Sequence, residues 1–100
     1  PIFRSIWERL VCVWCDKAED VAWWSIEGMK VPYEFEGKQR TYIPDFLVEF
    51  DNGDKRMIEV KPSAQRAMDI NKAKWEAARQ WCEENGWGFV VLTEKELYAK

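Results

Sequence analysis

Two carboxylates and one ammonium stand at a spacing that can do hydrolytic chemistry. They are Asp45, in Tyr42-Ile43-Pro44-Asp45-Phe46, and Glu59 and Lys61, in Ile58-Glu59-Val60-Lys61. Glu59 and Lys61 are two residues apart, so on a strand they project from the same face. Two β-like runs, Thr41–Phe50 and Lys55–Lys61, flank Asp51-Asn52-Gly53-Asp54. An Asn-Gly pair between alternating apolar runs is a hairpin signal, because a primed turn needs positive φ. Folding the runs back on each other brings Asp45, early in one strand, beside Glu59 and Lys61, at the end of the other. Asp45 and Glu59 then supply hard anionic oxygens of the kind Mg²⁺ accepts, with water and a substrate phosphate completing the shell. Lys61 is placed to hold a phosphate oxygen, orient attacking water or stabilise charge in the transition state. The plain alternative is an ordinary hairpin with an exposed Glu–Lys pair, which contributes little to stability.

The rest of the chain must position these groups. Phe3 to Asp16 reads as an amphipathic helix with Phe3, Ile6, Trp7, Leu10, Val11 and Trp14 toward the core. Glu8 lies on the flank of that stripe, within reach of the sheet edge. Ser5-x-x-Glu8 also has capping-box spacing, with Ser5 as N-cap. Val21–Phe35 has the aromatic and β-branched content of a strand, with Pro32 marking an edge or a bulge. Glu36-Gly37 turns into Gln39–Phe50, so that three strands, the last being Lys55–Lys61, form an antiparallel meander. Pro62-Ser63-Ala64 leads into a helix over Gln65–Asn85 with an apolar stripe of Ala67, Ile70, Ala77, Ala78 and Trp81, stopped by Asn85-Gly86. Lys74 falls in the middle of this stripe. Its ammonium either snorkels toward the Asp45/Glu59 edge to meet a phosphate, or its stem covers apolar surface. Lys72, Trp75 and Arg79 share another face, a cation–aromatic–cation strip for nucleic acid or a solvated side. Gly88–Leu92 is a last short strand, and Thr93–Glu96 opens a short helix. The predicted order is αβββαβ, an α/β fold with a central mixed sheet flanked by helices.

One hundred residues, 47% apolar with seven Trp, read as one folded domain over residues 1–100. No apolar run approaches a membrane span and no signal peptide is visible, so an intracellular, cytoplasmic protein is expected. Three cysteines and no histidine fit a reducing compartment and exclude histidine-based acid–base chemistry. Cys12 and Cys15 form C-x-x-C inside a helical pattern without the partners of a zinc site, and read as structural thiols. The net charge is −3, but Lys55 to Arg79 holds seven basic residues against three acidic ones. A local basic footprint is what phosphate contact requires, and Arg66, Lys72, Lys74 and Arg79 are its candidate DNA contacts. A solvated helix face would carry many of the same lysines.

Pro44-Asp45 followed by Glu59-Val60-Lys61 resembles the PD-(D/E)XK nuclease signature. Phe3-Arg4-Ser5-Ile6-Trp7-Glu8, Lys30-Val31-Pro32-Tyr33 and Tyr42-Ile43-Pro44-Asp45-Phe46-Leu47 resemble the F-R-S-x-x-E, K-V-P-Y and Y-x-P-D-F-L of phage junction-resolving endonuclease I. The same order, continuing into a helix and then Gly86-x-x-Phe89-x-Val91-x-Thr93-Glu94, is similar to the TnsA-type transposon endonuclease domain. The similarity covers nearly the whole chain. It implies a restriction-endonuclease-like core and hydrolysis of DNA phosphodiesters with Mg²⁺ or Mn²⁺, in a phage or mobile-element setting. It also implies that Asp45 and Glu59, joined by Glu8 and the Val60 carbonyl, hold the metal while Lys61 orients water or stabilises charge. Glu8 thereby has a catalytic or metal-positioning reading beside the capping one. The junction resolvers carry a further acidic residue just before K-V-P-Y, where this chain has Ser25, with Glu27 two residues later. The Gln that commonly follows E-x-K is not adjacent here; Gln65 is four residues on. A general or site-directed endonuclease is the leading expectation, with a recruiting protein among its expected partners, although the chain lacks an obvious recruitment domain such as TnsA-type proteins carry. The alternatives are a four-way-junction resolving nuclease acting as a homodimer, and a non-catalytic DNA-binding or assembly protein on the same fold. The intact Asp45, Glu59 and Lys61 argue against the last.

Overall fold

A computed structural model describes residues 2–98, and the side chains of residues 6–98. The elements are α1 (Ile2–Lys17), β1 (Val21–Ile26), β2 (Val31–Phe35), β3 (Lys38–Tyr42), β4 (Phe46–Phe50), β5 (Lys55–Val60), a 3₁₀ turn (Ser63–Gln65), α2 (Asp69–Asn85), β6 (Gly88–Leu92) and α3 (Glu94–Leu97). The main sheet has the order β1-β4-β5-β6, while β2 and β3 form a separate hairpin. β1 with β4 and β4 with β5 are antiparallel, and β5 with β6 is parallel across the α2 crossover. The fold is therefore α/β, a mixed sheet flanked by helices, consistent with a restriction-endonuclease-like core.

The expected three-strand meander is corrected, because each of its first two strands is broken in the middle. Val21–Phe35 divides at Glu27, whose φ of 51° leaves the extended region. Gly28 follows at a close approach, since a Cβ there would lie 2.7 Å from Ser25 Oγ. Gln39–Phe50 divides at Ile43–Asp45, where Pro44 cannot donate to a ladder. The piece between the two breaks folds on itself as the β2–β3 hairpin.

Strand alternation sends successive residues of β4 and β5 into two separate cores. On one face Leu47 and Met57 pack with Val31, Tyr33 and Tyr42 of the hairpin and with Trp75, Ala78 and Cys82 of α2. On the other, Phe46, Val48, Ile58 and Val60 pack against Trp7, Val11 and Cys15 of α1. The expected helix stripes are both too wide or rotated. In α1 the buried ridge is Trp7, Val11 and Cys15, whereas Ile6, Leu10 and Trp14 are 46%, 39% and 45% exposed. The Phe3 side chain lies outside the described residues. Ser5 lies within α1 by its backbone, so it is not the helix N-cap, and its side chain lies outside the described residues. In α2 the buried ridge is Asn71, Trp75, Ala78 and Cys82, and Ala67 precedes the helix. Trp75 is thus a core residue and not part of a surface strip between Lys72 and Arg79. The stop at Gly86 is as expected: its φ is 78°, and its amide bonds to the Cys82 carbonyl.

The two faces differ in what truncation should do. Trp75→Ala should cost about 3–5 kcal/mol in urea unfolding, since it empties the α2 core. Val13→Ala, at a position 43% exposed on α1, should stay within about 1 kcal/mol of wild type.

Candidate active site

The β4–β5 hairpin sets the frame. Gly53 has a φ of 92°, Asn52 Oδ1 accepts from the Asp54 amide at 2.9 Å, and the Phe50 amide donates to the Asp54 carbonyl at 2.8 Å. This turn fixes the register Phe46↔Ile58 through Glu49↔Lys55. Continued by one pair, the same register sets Asp45 opposite Glu59. The Asp45 carbonyl accepts from the Glu27 amide at 3.2 Å, and its carboxylate Oδ2 accepts from the Val60 amide at 2.8 Å. On the far side of β5, Glu59 is in register with Val91, and the Lys61 amide donates to the Leu92 carbonyl at 2.9 Å. Asp45, Glu59 and Lys61 are consequently brought together at one end of the sheet, as their spacing predicts.

All three are buried, with 5%, 2% and 9% of their surface exposed. This rules out the solvent-exposed Glu–Lys pair of an ordinary hairpin. Lys61 Nζ stands 3.5 Å from Glu59 Oε2. Burial pushes the Glu59 carboxyl up to about 7; the Asp45 charge pushes the same way, while Lys61 and the nearby Tyr42 pull it down. Burial is the largest of these effects because removing a carboxylate from water penalises its charged form. Tyr42 is the site neighbour that sequence spacing did not single out. It ends β3, three residues before Asp45, and its ring is in the α2-side core.

The loop after Lys61 is clamped from the opposite end of the chain. The Ser63 amide donates to Glu94 Oε1 at 2.9 Å and its hydroxyl donates to Glu94 Oε2. These bonds hold the Glu94 carboxyl below its ordinary range. Thr93 caps α3 in a reciprocal box with Glu96, so the clamp is mounted on a capped turn.

The other expected residues are more dispersed. Glu8 lines a cavity of about 420 Å³ on the α1 side with Arg9, Cys12, Ile26, Glu27 and Phe46. Alternation would send Glu27 to the face of Asp45, but the left-handed turn at Glu27 breaks the alternation. Ser25, paired with Leu47, occupies the strand position where the junction resolvers carry an acid. Among the described residues no group of three or more Cys, Asp or Glu side chains is gathered so as to hold a metal ion. Of the basic residues, Lys72 and Arg79 lie on one flank of α2. The Arg79 guanidinium stands 5.5 Å from the Phe89 ring centroid on β6. Lys74 lies on the opposite flank, about 160° around the helix from Lys72. That flank faces the β2–β3 hairpin, because Trp81, seven residues on from Lys74, lines a cavity with Val31 and Pro32. Arg66 is exposed in the turn before α2, within electrostatic reach of Glu96. Cys12 and Cys15 are free thiols raised by burial, Cys15 to about 11. No described helix is long and apolar enough to cross a membrane.

Residues 18–94 match the family model described as TnsA-like endonuclease N terminal. A comparison with individual curated proteins gave no match.

The raised Glu59 fixes the sign of a pH effect. Between about 4.5 and 7 the folded protein keeps a proton that the unfolded chain has released, so stability falls as pH rises through that window. In the presence of a chelator, the wild-type melting temperature should drop by several degrees between about pH 5 and about pH 8. Glu59→Gln should flatten that profile, as read by thermal melts across the same buffers.

Proposed function

We propose that this chain, which belongs to the TnsA-like endonuclease N-terminal family, cuts DNA by metal-assisted hydrolysis of a phosphodiester at Asp45, Glu59 and Lys61. The carrying observation is two buried carboxylates and a buried ammonium converging at one sheet end. Two neighbouring carboxylates out of water are unfavourable unless a cation or a proton offsets their charge. The donor set fits a hard divalent ion, which commonly takes one or two carboxylates and completes its shell with water and substrate phosphate. Asp45 and Glu59 would hold Mg²⁺ or Mn²⁺, with the Val60 carbonyl as a further ligand. Glu8 contributes from α1, where its cavity is lined by Phe46, the residue next to Asp45. The bound ion supplies Lewis-acid polarisation of the phosphate and a lowered pKa for water.

The chain's own groups do the remainder. The Val60 amide holds the Asp45 carboxylate in place through a buried hydrogen bond. Lys61 donates to a non-bridging phosphate oxygen and stabilises the negative charge that grows there during attack. Its ion pair with Glu59 sets the ammonium's position before substrate arrives. Lys74, on the hairpin flank of α2, extends the positive lining next to the site. Lys72 and Arg79 on the other flank, with Arg66, contact phosphates further along the strand.

Cleavage should therefore require a divalent ion and stop with EDTA. Asp45→Asn, Glu59→Gln and Lys61→Ala should each lower the single-turnover rate at least about a hundredfold. Glu8→Gln should lower it while melting close to wild type. The measurement is cleavage of supercoiled, linear, single-stranded and four-way-junction DNA side by side, and a clear preference for the junction selects the resolving activity. Nicking by Asp45→Asn at the wild-type rate would remove this reading.

The basic residues have their own readout. Replacing Lys72, Lys74 or Arg79 by Ala should shallow the dependence of log affinity on log salt by about one unit each. Lys74→Ala should also slow cleavage, unlike Lys72→Ala. Salt slopes unchanged in all three would assign α2 to solvent.

A further inference from the structure

The ladder between β5 and β6 closes with the Lys61 amide on the Leu92 carbonyl at 2.9 Å. The next residue, Pro62, has no amide to donate. Ser63, one further on, donates its amide to Glu94 Oε1 at 2.9 Å and its hydroxyl to Glu94 Oε2. Leu92 and Glu94 are two apart, as Lys61 and Ser63 are, so a side-chain carboxylate takes the place that a strand carbonyl would hold. Lys61 is thereby bracketed by two anchors, and Pro62, at a φ of −59°, adds the torsion fixed by its ring between them.

The second anchor is itself firmly mounted. Thr93 is buried and caps α3 in a reciprocal box with Glu96. Glu96 thus serves the helix end, while both oxygens of Glu94 go to Ser63. An acid in a first helical turn is favoured by the helix dipole alone, but that would not bring either oxygen to the loop. Lys61 is 9% exposed, and its Nζ stands 3.5 Å from Glu59 Oε2. A buried side chain follows its backbone, because close packing around the stem leaves it few rotamers. A shift of the Lys61 backbone is then a shift of the ammonium, and a misplacement of about 1 Å at a reacting group can cost about a hundredfold in rate. We propose that Glu94 is a positioning residue for the reaction: through Ser63 it fixes the backbone from which the Lys61 ammonium reaches the scissile phosphate. The inference rests on the endonuclease reading given above. It makes the turn into α3 part of the apparatus that aims Lys61, from a position 31 residues on from Ser63.

The test compares Glu94→Ala with Glu94→Gln. Alanine removes both bonds to Ser63. Glutamine keeps both, since its carbonyl accepts from the Ser63 amide and its amide donates to the Ser63 oxygen. The first readout, amide hydrogen exchange by NMR, needs neither metal nor DNA. In Glu94→Ala the Ser63 and Lys61 amides should exchange about tenfold faster or more, while the Val60 amide, held by Asp45, should change less than about twofold. The second readout is single-turnover cleavage at saturating Mn²⁺. Glu94→Ala should cut about tenfold more slowly or worse, with Mn²⁺ affinity within about twofold of wild type. Glu94→Gln should cut near the wild-type rate, and Ser63→Ala, which keeps the amide bond, should lose less than Glu94→Ala. In a Lys61→Ala background, Glu94→Ala should change the rate less than about twofold, because the ammonium it aims is gone. It should still lower the melting temperature there as much as in wild type. Equal acceleration of exchange at Ser63, Lys61 and Val60, or an equal rate loss in both backgrounds, would overturn the inference, since each marks a general loss of stability. Cleavage by Glu94→Ala at the wild-type rate would overturn it too. If Glu94→Ala fails to fold, Ser63→Ala carries the same comparisons. Wild type that cuts no DNA with Mn²⁺, or Lys61→Ala that cuts at the wild-type rate, removes the endonuclease reading of this site, and this inference with it.

Discussion

A carboxylate that cannot reach water must find its partners inside the protein, and the Asp45–Val60 bond answers that demand. At 2.8 Å, between a buried side chain and a buried backbone amide, it ties the start of β4 to the end of β5. It lies just beyond the last pair of the β4–β5 ladder, where strand pairing has ended and a main-chain donor is left over. Asp45 takes that donor, and so acts as the stop of the ladder as well as a member of the site. Removing the carboxylate would leave the amide buried and unmatched, a larger penalty than the bond's own net contribution. The position of Glu59 and Lys61 relative to Asp45 is thereby a property of the backbone.

Around that bond, each element contributes one constraint. β5, like β4, is paired on both sides, so Glu59 sits on one of the two inner strands, which are less able to shift than the edges. α1 and α2 seal the two faces, and the seal that excludes water from Val60 and Met57 also withholds it from the carboxylates. That exclusion strengthens the Lys61–Glu59 attraction and the Asp45–Glu59 repulsion together. The strain between like charges is held by packing elsewhere in the domain, as is usual where a protein keeps polar groups for chemistry. The Ser63–Glu94 clamp then prevents the loop after Lys61 from relaxing outward.

What was legible in the sequence was what depends on near neighbours. The Asn52-Gly53 turn, the opposition of Asp45 to Glu59 and the shared face of Glu59 and Lys61 follow from local turn chemistry and period-two geometry. The glycine stop at Gly86 was legible for the same reason. The breaks at Glu27 and Pro44 were not, because a strand's propensity says nothing about which ladder its residues join. A non-glycine residue at positive φ is sustained only by its surroundings. α2 was misread by one residue of rotation: the buried set Asn71, Trp75, Ala78 and Cys82 competes with Ile70, Ala77 and Trp81, which pack half-buried beside it, at nearly the same period. Tertiary contact decided between them, and a bond from Asn71 to the Gln65 carbonyl allowed an amide to be buried.

The parallel pairing of β5 with β6 bears on how the site comes into being. β4 and β5 can close as soon as both exist, since a short turn joins them. β6 cannot pair until the whole α2 crossover has been laid down. During synthesis, Asp45, Glu59 and Lys61 leave the ribosome together, while the Leu92 carbonyl that receives the Lys61 amide follows about thirty residues later. The nascent chain carries these three polar groups before it carries the frame that aims them, with β5 still an open edge. Under the proposed reading, cleavage of nucleic acid would thus be withheld from the growing chain and arrive with the closing strand.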